Sequence, residues 1–343
     1  MLLDILYGKY KTVSIVGMAK NCGKTVALNH IINEAKNRNL TLGLLSAGRD
    51  GETRDLVTET EKPMIYTEEG TIVATTTELL PLSDATVEIM EVTDYNTSLG
   101  EVLIGRVVYG GYIQIAGPQT ARGIKDVSEK ILNMGVDMVL VDGAIDRKSS
   151  AAPSISQAVI LSTGAVVNRN MNRVIEETVH LVNLFNIPPV EDSKAVGVIG
   201  QLMDKGKIAI VDEYFKANIL QIKSALNSTK IIGENINHHS RYIVIPGSLT
   251  SNMVEDMLTY INKYKQVHIV VPDATKIFIS PEKWQRFMKI GINIKVINPI
   301  NLVAITLNPY SPEGYYFNPE KFLKDMRNYV RDIPVVDLLL GGE

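Results

Sequence analysis

Thr12-Val13-Ser14-Ile15-Val16-Gly17-Met18-Ala19-Lys20-Asn21-Cys22-Gly23-Lys24-Thr25 decides the reading of this chain. Its first five residues form an apolar run that reads as a strand buried on both faces. Val26 to Arg38 follows as a helix, with Ala27, Leu28, Ile31, Ile32 and Ala35 recurring on one side. Strand, glycine-bounded loop, Gly-Lys-Thr and helix, in that order, make a phosphate-binding loop. The loop and first helical turn, Gly17, Asn21, Cys22, Gly23, Lys24, Thr25 and Val26, then surround a polyphosphate with backbone N–H groups. Lys24 is expected to neutralise the outer phosphates, and the Thr25 hydroxyl to be a Mg²⁺ ligand.

The usual pattern has four residues between its two glycines. Here five separate Gly17 from Gly23, so Met18 stands at the usual first-glycine position. With the glycine one place early, the loop resembles that of dethiobiotin synthetase, the cobyrinic-acid amidases and related dimer-forming nucleotidases. That resemblance implies an α/β fold with a mostly parallel sheet and, as one option, a homodimer.

Working outward, Leu40 to Ser46 is a second apolar run fitting a parallel strand. It runs into Ala47 to Asp55, a loop dense in charge and glycine. Ligands of open α/β sheets lie beyond the carboxyl ends of strands. Asp50 is therefore a candidate to hold Mg²⁺ or position a water, with a solvated turn as the alternative. Val136 to Ala144 is an apolar strand that delivers Asp142 to the same edge, where a Mg²⁺-binding acid is needed. The expected catalytic set is Lys24, Asp142 and Asp50, and the expected metal set is Thr25, Asp50 and Asp142.

Between these two strands the pattern changes. Residues 72–77, 86–92 and 101–108 are β-branched and partly alternating, which predicts a small antiparallel insertion over about 63–112. A further strand over 113–116 leads into the polar loop 117–123, where Gln119, Thr120 and Arg122 either meet the phosphates or a partner, or cap the next helix. Ala158 to Ala165 reads as another strand, followed by Asn168-Arg169-Asn170-Met171-Asn172. This is not the Asn-Lys-x-Asp guanine signature, so ATP is the expected nucleotide.

Ile187-Pro188-Pro189 to Lys194 is the best candidate boundary. It divides the chain into a phosphate-loop domain, 1–190, and a second α/β region, 191–343. The second half carries strand patterns at 207–211, 242–246, 267–271, 292–297 and 302–307, with helical patterns at 217–226 and after Ser251. Asn308 and Tyr310 are candidates to meet a base or a partner, or to form a surface loop. His238-His239 has no metal-ligand spacing around it.

Composition bounds the rest. At 343 residues, 45% hydrophobic and 21% charged, the chain is ordinary for a globular protein. A net charge of −3 without basic blocks argues against a nucleic-acid partner. A single cysteine, Cys22, excludes an intrachain disulfide framework and suits a reducing compartment. No signal peptide or bilayer-length apolar run is visible, so a cytoplasmic protein without membrane contact is expected. No Ser, Cys or His triad pattern appears.

The runs Ser14 to Thr25 and Ser46 to Glu52 look like one family in particular. They are similar to the smaller subunit of the reactivase for adenosylcobalamin-dependent lysine 5,6-aminomutase and its ornithine relatives. Ile245 to Thr250 and Ile305 to Tyr310 share the likeness. The resemblance implies an ATP-using, chaperone-like subunit that works with a MutS-related ATPase subunit to exchange damaged cobalamin on the aminomutase. A small-molecule kinase, a ligase of the dethiobiotin synthetase kind, and a nucleotide-binding module without turnover are the alternatives.

Overall fold

Every side chain from Thr12 to Val16 is buried, and the run forms β1 (Thr12–Gly17) in the interior of the main sheet. The computed structural model describes residues 2–47, 65–143, 151–222, 224–226, 228–264 and 266–338. The chain is α/β and divides into two units, 1–178 with 301–343, and 179–300.

The first unit opens with α1 (Leu2–Leu6), packed by Leu2, Leu3 and Leu6 onto α2 (Lys24–Lys36), the helix that follows β1. Buried Glu34 of α2 accepts the Leu3 N–H at 2.6 Å and meets His30 at 2.9 Å. Ala27, Leu28, Ile31 and Ala35 face the sheet, as their helical spacing predicts. Burying a Leu or Ile of this kind is worth about 1.5–3 kcal/mol, so sheet packing holds the helix that carries Lys24.

Next come β2 (Leu42–Ser46), β3 (Ile65–Thr67), β4 (Ile72–Thr76), β5 (Thr86–Thr97), β6 (Gly100–Tyr109) and β7 (Gly111–Ile113). After them the chain forms α3 (Ala121–Asn133), β8 (Met138–Asp142), β9 (Ala158–Gly164) and α4 (Met171–Phe185), which carries it across the division at 178/179. β5 and β6 are an antiparallel extension beyond β4, and β3 pairs with β7 in a separate ribbon. The antiparallel reading of 86–92 and 101–108 agrees with β5 and β6, whereas 72–76, expected in the same insertion, forms β4 and pairs parallel with β2 on its other side.

The second unit holds α5 (Ser193–Asp204), β10 (Ala209–Asp212), β11 (Ala217–Ile219), α6 (Thr229–Glu234), β12 (Ser240–Val244) and β13 (Leu249–Thr250). It continues through α7 (Ser251–Lys263), β14 (His268–Val271), β15 (Ile277–Phe278), α8 (Pro281–Ile290) and β16 (Asn293–Val296). Its sheet runs β11-β10-β12-β14-β16, with β12, β14 and β16 parallel and linked by α7 and α8. Ala195, Ile199 and Leu202 of α5 pack on Ala209, Val211, Val244 and Val270. The helical pattern expected over 217–226 is absent, and 217–219 is a strand. Asp212 Oδ1 accepts the Tyr214 and Lys216 N–H groups and Phe215 takes φ +63°, which turns the chain back as a hairpin onto β10.

His268 on β14 has a buried Nδ1 without a hydrogen bond. Desolvation, then the Lys295 and Arg241 charges, hold its pKa below 6.5. The folded unit thus keeps this ring neutral, while the unfolded chain takes up a proton as pH falls below about 6.5. Stability from this group is complete above that value and is lost on descending towards the lower folded pKa. Thermal melts at pH 7.5 and 5.0 should show a smaller acid-induced drop for His268→Gln than for the wild type.

The chain then returns. β17 (Leu302–Asn308), α9 (Pro319–Tyr329) and β18 (Val335–Asp337) belong to the first unit. β17 pairs parallel with β9, and β18 with β17, completing the order β18-β17-β9-β1-β8-β2-β4-β6-β5. The linear division 1–190 and 191–343 differs from this arrangement at both ends of the second unit. Residues 302–307 are buried on both faces, and β9 supplies the neighbour they require.

Candidate phosphate-binding site

The carboxyl ends of β1, β2, β8, β9 and β17 fall on one edge of the main sheet because these strands are all parallel. Strands β8 and β9 flank β1 on opposite sides, so strand order reverses there, and such a switch point opens a crevice for ligands. The segment Gly17–Thr25 leaves β1 at this crevice.

Gly17 needs to be glycine. A Cβ there would lie 2.4 Å from Cys22 Sγ and 3.0 Å from Cγ and Cδ of Lys24. The Lys24 stem thus folds back across Gly17, and Cys22 packs into the loop, 1% exposed. Cys22 is a small packing residue here. Met18, at the usual glycine position, donates its N–H to Ser162 O at 3.0 Å, and its sulfur accepts the Thr178 hydroxyl at 3.2 Å. Moving the glycine to 17 lets position 18 carry an anchoring side chain.

Gly23 adopts φ +101° and ψ 12°, a left-handed conformation that favours glycine, and starts α2 without a side-chain cap. By contrast, Thr120, Asp192, Thr250, Ser280 and Asn318 cap α3, α5, α7, α8 and α9. The first turn of α2 also carries no acidic residue. Its N–H groups and the positive end of the helix dipole therefore favour an anion. Lys24 is only 9% exposed and makes no hydrogen bond or ion pair among the described residues. Thr25 is half-buried and Val26 is 41% exposed at the same helix start.

Asp142 is the last residue of β8, in register with Ile15 of β1 and Ser46 of β2. Its carbonyl accepts the Ala47 N–H at 2.8 Å, and Gly143 N donates to Ile15 O at 2.9 Å. The backbone of this half-buried residue is thereby fixed at the edge from which the Gly17–Thr25 loop departs. Asp50 lies outside the described residues. Among the described residues no group of three or more His, Cys, Asp and Glu can hold a metal ion. The Thr25 hydroxyl and the Asp142 carboxylate are hard oxygen donors of the type Mg²⁺ takes together with phosphates and water, so the residue set fits the ion as a companion of a nucleotide.

In the 117–123 loop, Thr120 accepts the Gly123 N–H at 3.1 Å and caps α3, while Gln119 and Arg122 are exposed. Of its two expected roles, Thr120 takes the helix cap.

The residue that sequence reasoning placed least well is Asn308. It ends β17, and its Nδ2 donates to Asn21 O at 3.1 Å while its Oδ1 accepts the Tyr310 N–H at 3.1 Å. The amide nitrogen holds the loop at Asn21, which takes φ +60°, while the amide oxygen fixes the local turn towards Tyr310. Cβ atoms on Gly23 and Gly164 would lie 3.1 Å from Asn308 Cβ and 2.1 Å from Asn308 O. β17 thus braces the Gly17–Thr25 loop. Beyond it, exposed Tyr310 and Tyr316 sit with ring centroids 6.1 Å apart, and Tyr315 donates to Ala165 O at 2.8 Å with Arg169 over its ring. A glycine closing an apolar strand, as Gly164 does, is the available signal for such a close backbone approach.

No protein-family profile matches the chain, and no curated protein matches it either. No helix among the described residues is long and apolar enough to cross a membrane.

Proposed function

We propose that this chain binds and hydrolyses ATP with Mg²⁺ as the smaller subunit of a reactivating factor for an adenosylcobalamin-dependent amino-acid aminomutase. The observation that carries the nucleotide part is the uncapped start of α2, with Lys24, buried and without a partner among the described residues, folded across Gly17 at the switch point of the sheet. The likeness of Ser14–Thr25, Ser46–Glu52, Ile245–Thr250 and Ile305–Tyr310 to the reactivase subunits carries the remodelling part. On this reading a MutS-related ATPase subunit and the aminomutase are the partners.

The chain's own residues have separate tasks. Loop and helix N–H groups grip the β- and γ-phosphates, and Lys24 offsets their charge. Thr25 and Asp142 would hold Mg²⁺, which spreads the charge developing on the transferred phosphoryl group. Asn308 and Met18 keep the loop in place, which limits reorganisation as the charge moves.

Calorimetry with MgATP tests the binding directly, and absence of heat at any concentration ends the proposal. Asp142→Asn keeps the shape and removes the charge. It is expected to lower turnover by about 100-fold while ATP affinity changes by less than about tenfold. ADP release that requires an added small-molecule acceptor would instead mark a kinase or ligase. Recovery of an aminomutase or a MutS-like ATPase on purification from native cells supports the remodelling role.

A further inference from the structure

From Ile65 to Gly105 the chain carries eight Asp and Glu and no Lys, Arg or His. The whole protein is only −3, so the remainder is net basic. The charge is therefore gathered on the antiparallel extension and its connections. Among the described residues β5 ends the main sheet, pairing with β6 on one side only. Ile89, Met90 and Val92 on this strand are 51%, 40% and 52% exposed. Interleaved with them are Glu88 and Asp94, both exposed, and Glu91, which pairs with Lys130 of α3. Arg106 lies opposite Glu88 on β6 and is the first basic residue after the acidic run.

Ile89 and Val92 share one face of the strand, opposite Gly105 and Leu103, with Met90 at the bulge between them. Exposed apolar side chains set among carboxylates on an edge strand have the composition of a contact surface. From this arrangement we infer that β5 is a docking surface for a protein partner that presents lysines and arginines around an apolar centre. Charge decides among the possible occupants. A second copy placed antiparallel on β5 would bring Glu88, Glu91 and Asp94 against one another, which is repulsive. Nucleic acid and anionic membranes are repelled in the same way.

Register shifts between Thr86 and Val87, Ile89 and Glu91, and Val92 and Asn96 interrupt the strand's ladder. Bulges of this kind, with charged side chains, guard an edge against adding another strand. Recognition accordingly runs through side chains: the partner's apolar centre covers Ile89 and Val92, and its cations meet Glu88 and Asp94. This surface is built from β5 alone and stands whether or not the nucleotide reading does.

The test places the photo-crosslinking residue p-benzoylphenylalanine at Val92 of the full chain, in cells that naturally make the protein. A control carries it at Tyr329, 69% exposed on α9. The expected result is one adduct specific to position 92, whose crosslinked peptide, read by mass spectrometry, has Lys or Arg on both sides of an apolar residue. Glu88→Lys with Asp94→Lys should cut the adduct yield by at least about fivefold, as should raising the salt. If that double variant melts early, Glu88→Gln with Asp94→Asn replaces it, and a drop in yield is again expected. An adduct with a second copy of this chain, a peptide without basic residues, a yield indifferent to charge and salt, or no adduct above the Tyr329 control each overturns the inference.

Discussion

Lys24→Met is expected to weaken ATP binding by roughly 10- to 150-fold while leaving the free protein about as stable as the wild type. Lys24 is 9% exposed, and its ammonium has no partner among the described residues. Methionine keeps an apolar stem of similar length and removes the charge, so the folding stability of the free protein should change little. Methionine also fits the path across Gly17 that the Lys24 stem occupies. With polyphosphate bound, the charge has a partner. A hydrogen bond between charged groups is worth about 1.5–3 kcal/mol, so its loss weakens binding by roughly 10- to 150-fold.

Two measurements separate these effects. Thermal melting without ligand should give nearly equal midpoints for Lys24→Met and the wild type. With MgATP at 100 times the wild-type Kd, the wild type should gain about 2.7 kcal/mol, and the variant only about 0.3–1.4 kcal/mol. Lys24→Ala should lose binding to the same extent. A variant that binds MgATP as well as the wild type would remove Lys24 from the site, and the proposed function with it.

Legibility from sequence followed one physical line. Residues whose neighbours are local could be read: β1, the turn at Gly23, α2 with its apolar face, and the β5–β6 ribbon all appear where their patterns put them. The place of Asp142 at a strand end was legible because the apolar run over 138–141 stops at it, and β8 ends there. Residues 302–307 were legible as a strand and no further. A fully apolar run announces burial on both faces, yet it does not say which sheet supplies the neighbours. The pairing with β9 joins segments about 140 residues apart, and nothing between them signals the return. Asn308 was consequently assigned to a ligand or a surface loop, whereas its amide braces Asn21. The Asp212–Lys216 hairpin was missed for a related reason: its turn depends on Phe215 at φ +63°, a conformation a phenylalanine rarely adopts.

The return of β17 makes Gly164→Ala the second large effect. Gly164 has φ 176°, an extended backbone any residue can take, so conformational strain is not the reason. Space is. An alanine Cβ would lie 2.1 Å from Asn308 O and 3.0 Å from Asn308 C, which are backbone atoms of a paired strand and cannot rotate away. β9 and β17 must separate at their carboxyl ends. Overpacking of this type costs about 1–3 kcal/mol, occasionally more, so a clear fall in the thermal midpoint is expected. The displacement also moves Asn308, whose Nδ2 holds Asn21 O at 3.1 Å. The phosphate loop then loses a brace, and MgATP affinity should fall although position 164 is offered here as no ligand contact. Asn308→Ala separates the two consequences. It removes the brace without the clash, so it should weaken MgATP binding while lowering the midpoint less than Gly164→Ala does. Equal affinity in Asn308→Ala and the wild type would show that the C-terminal strand stabilises the sheet without organising the loop.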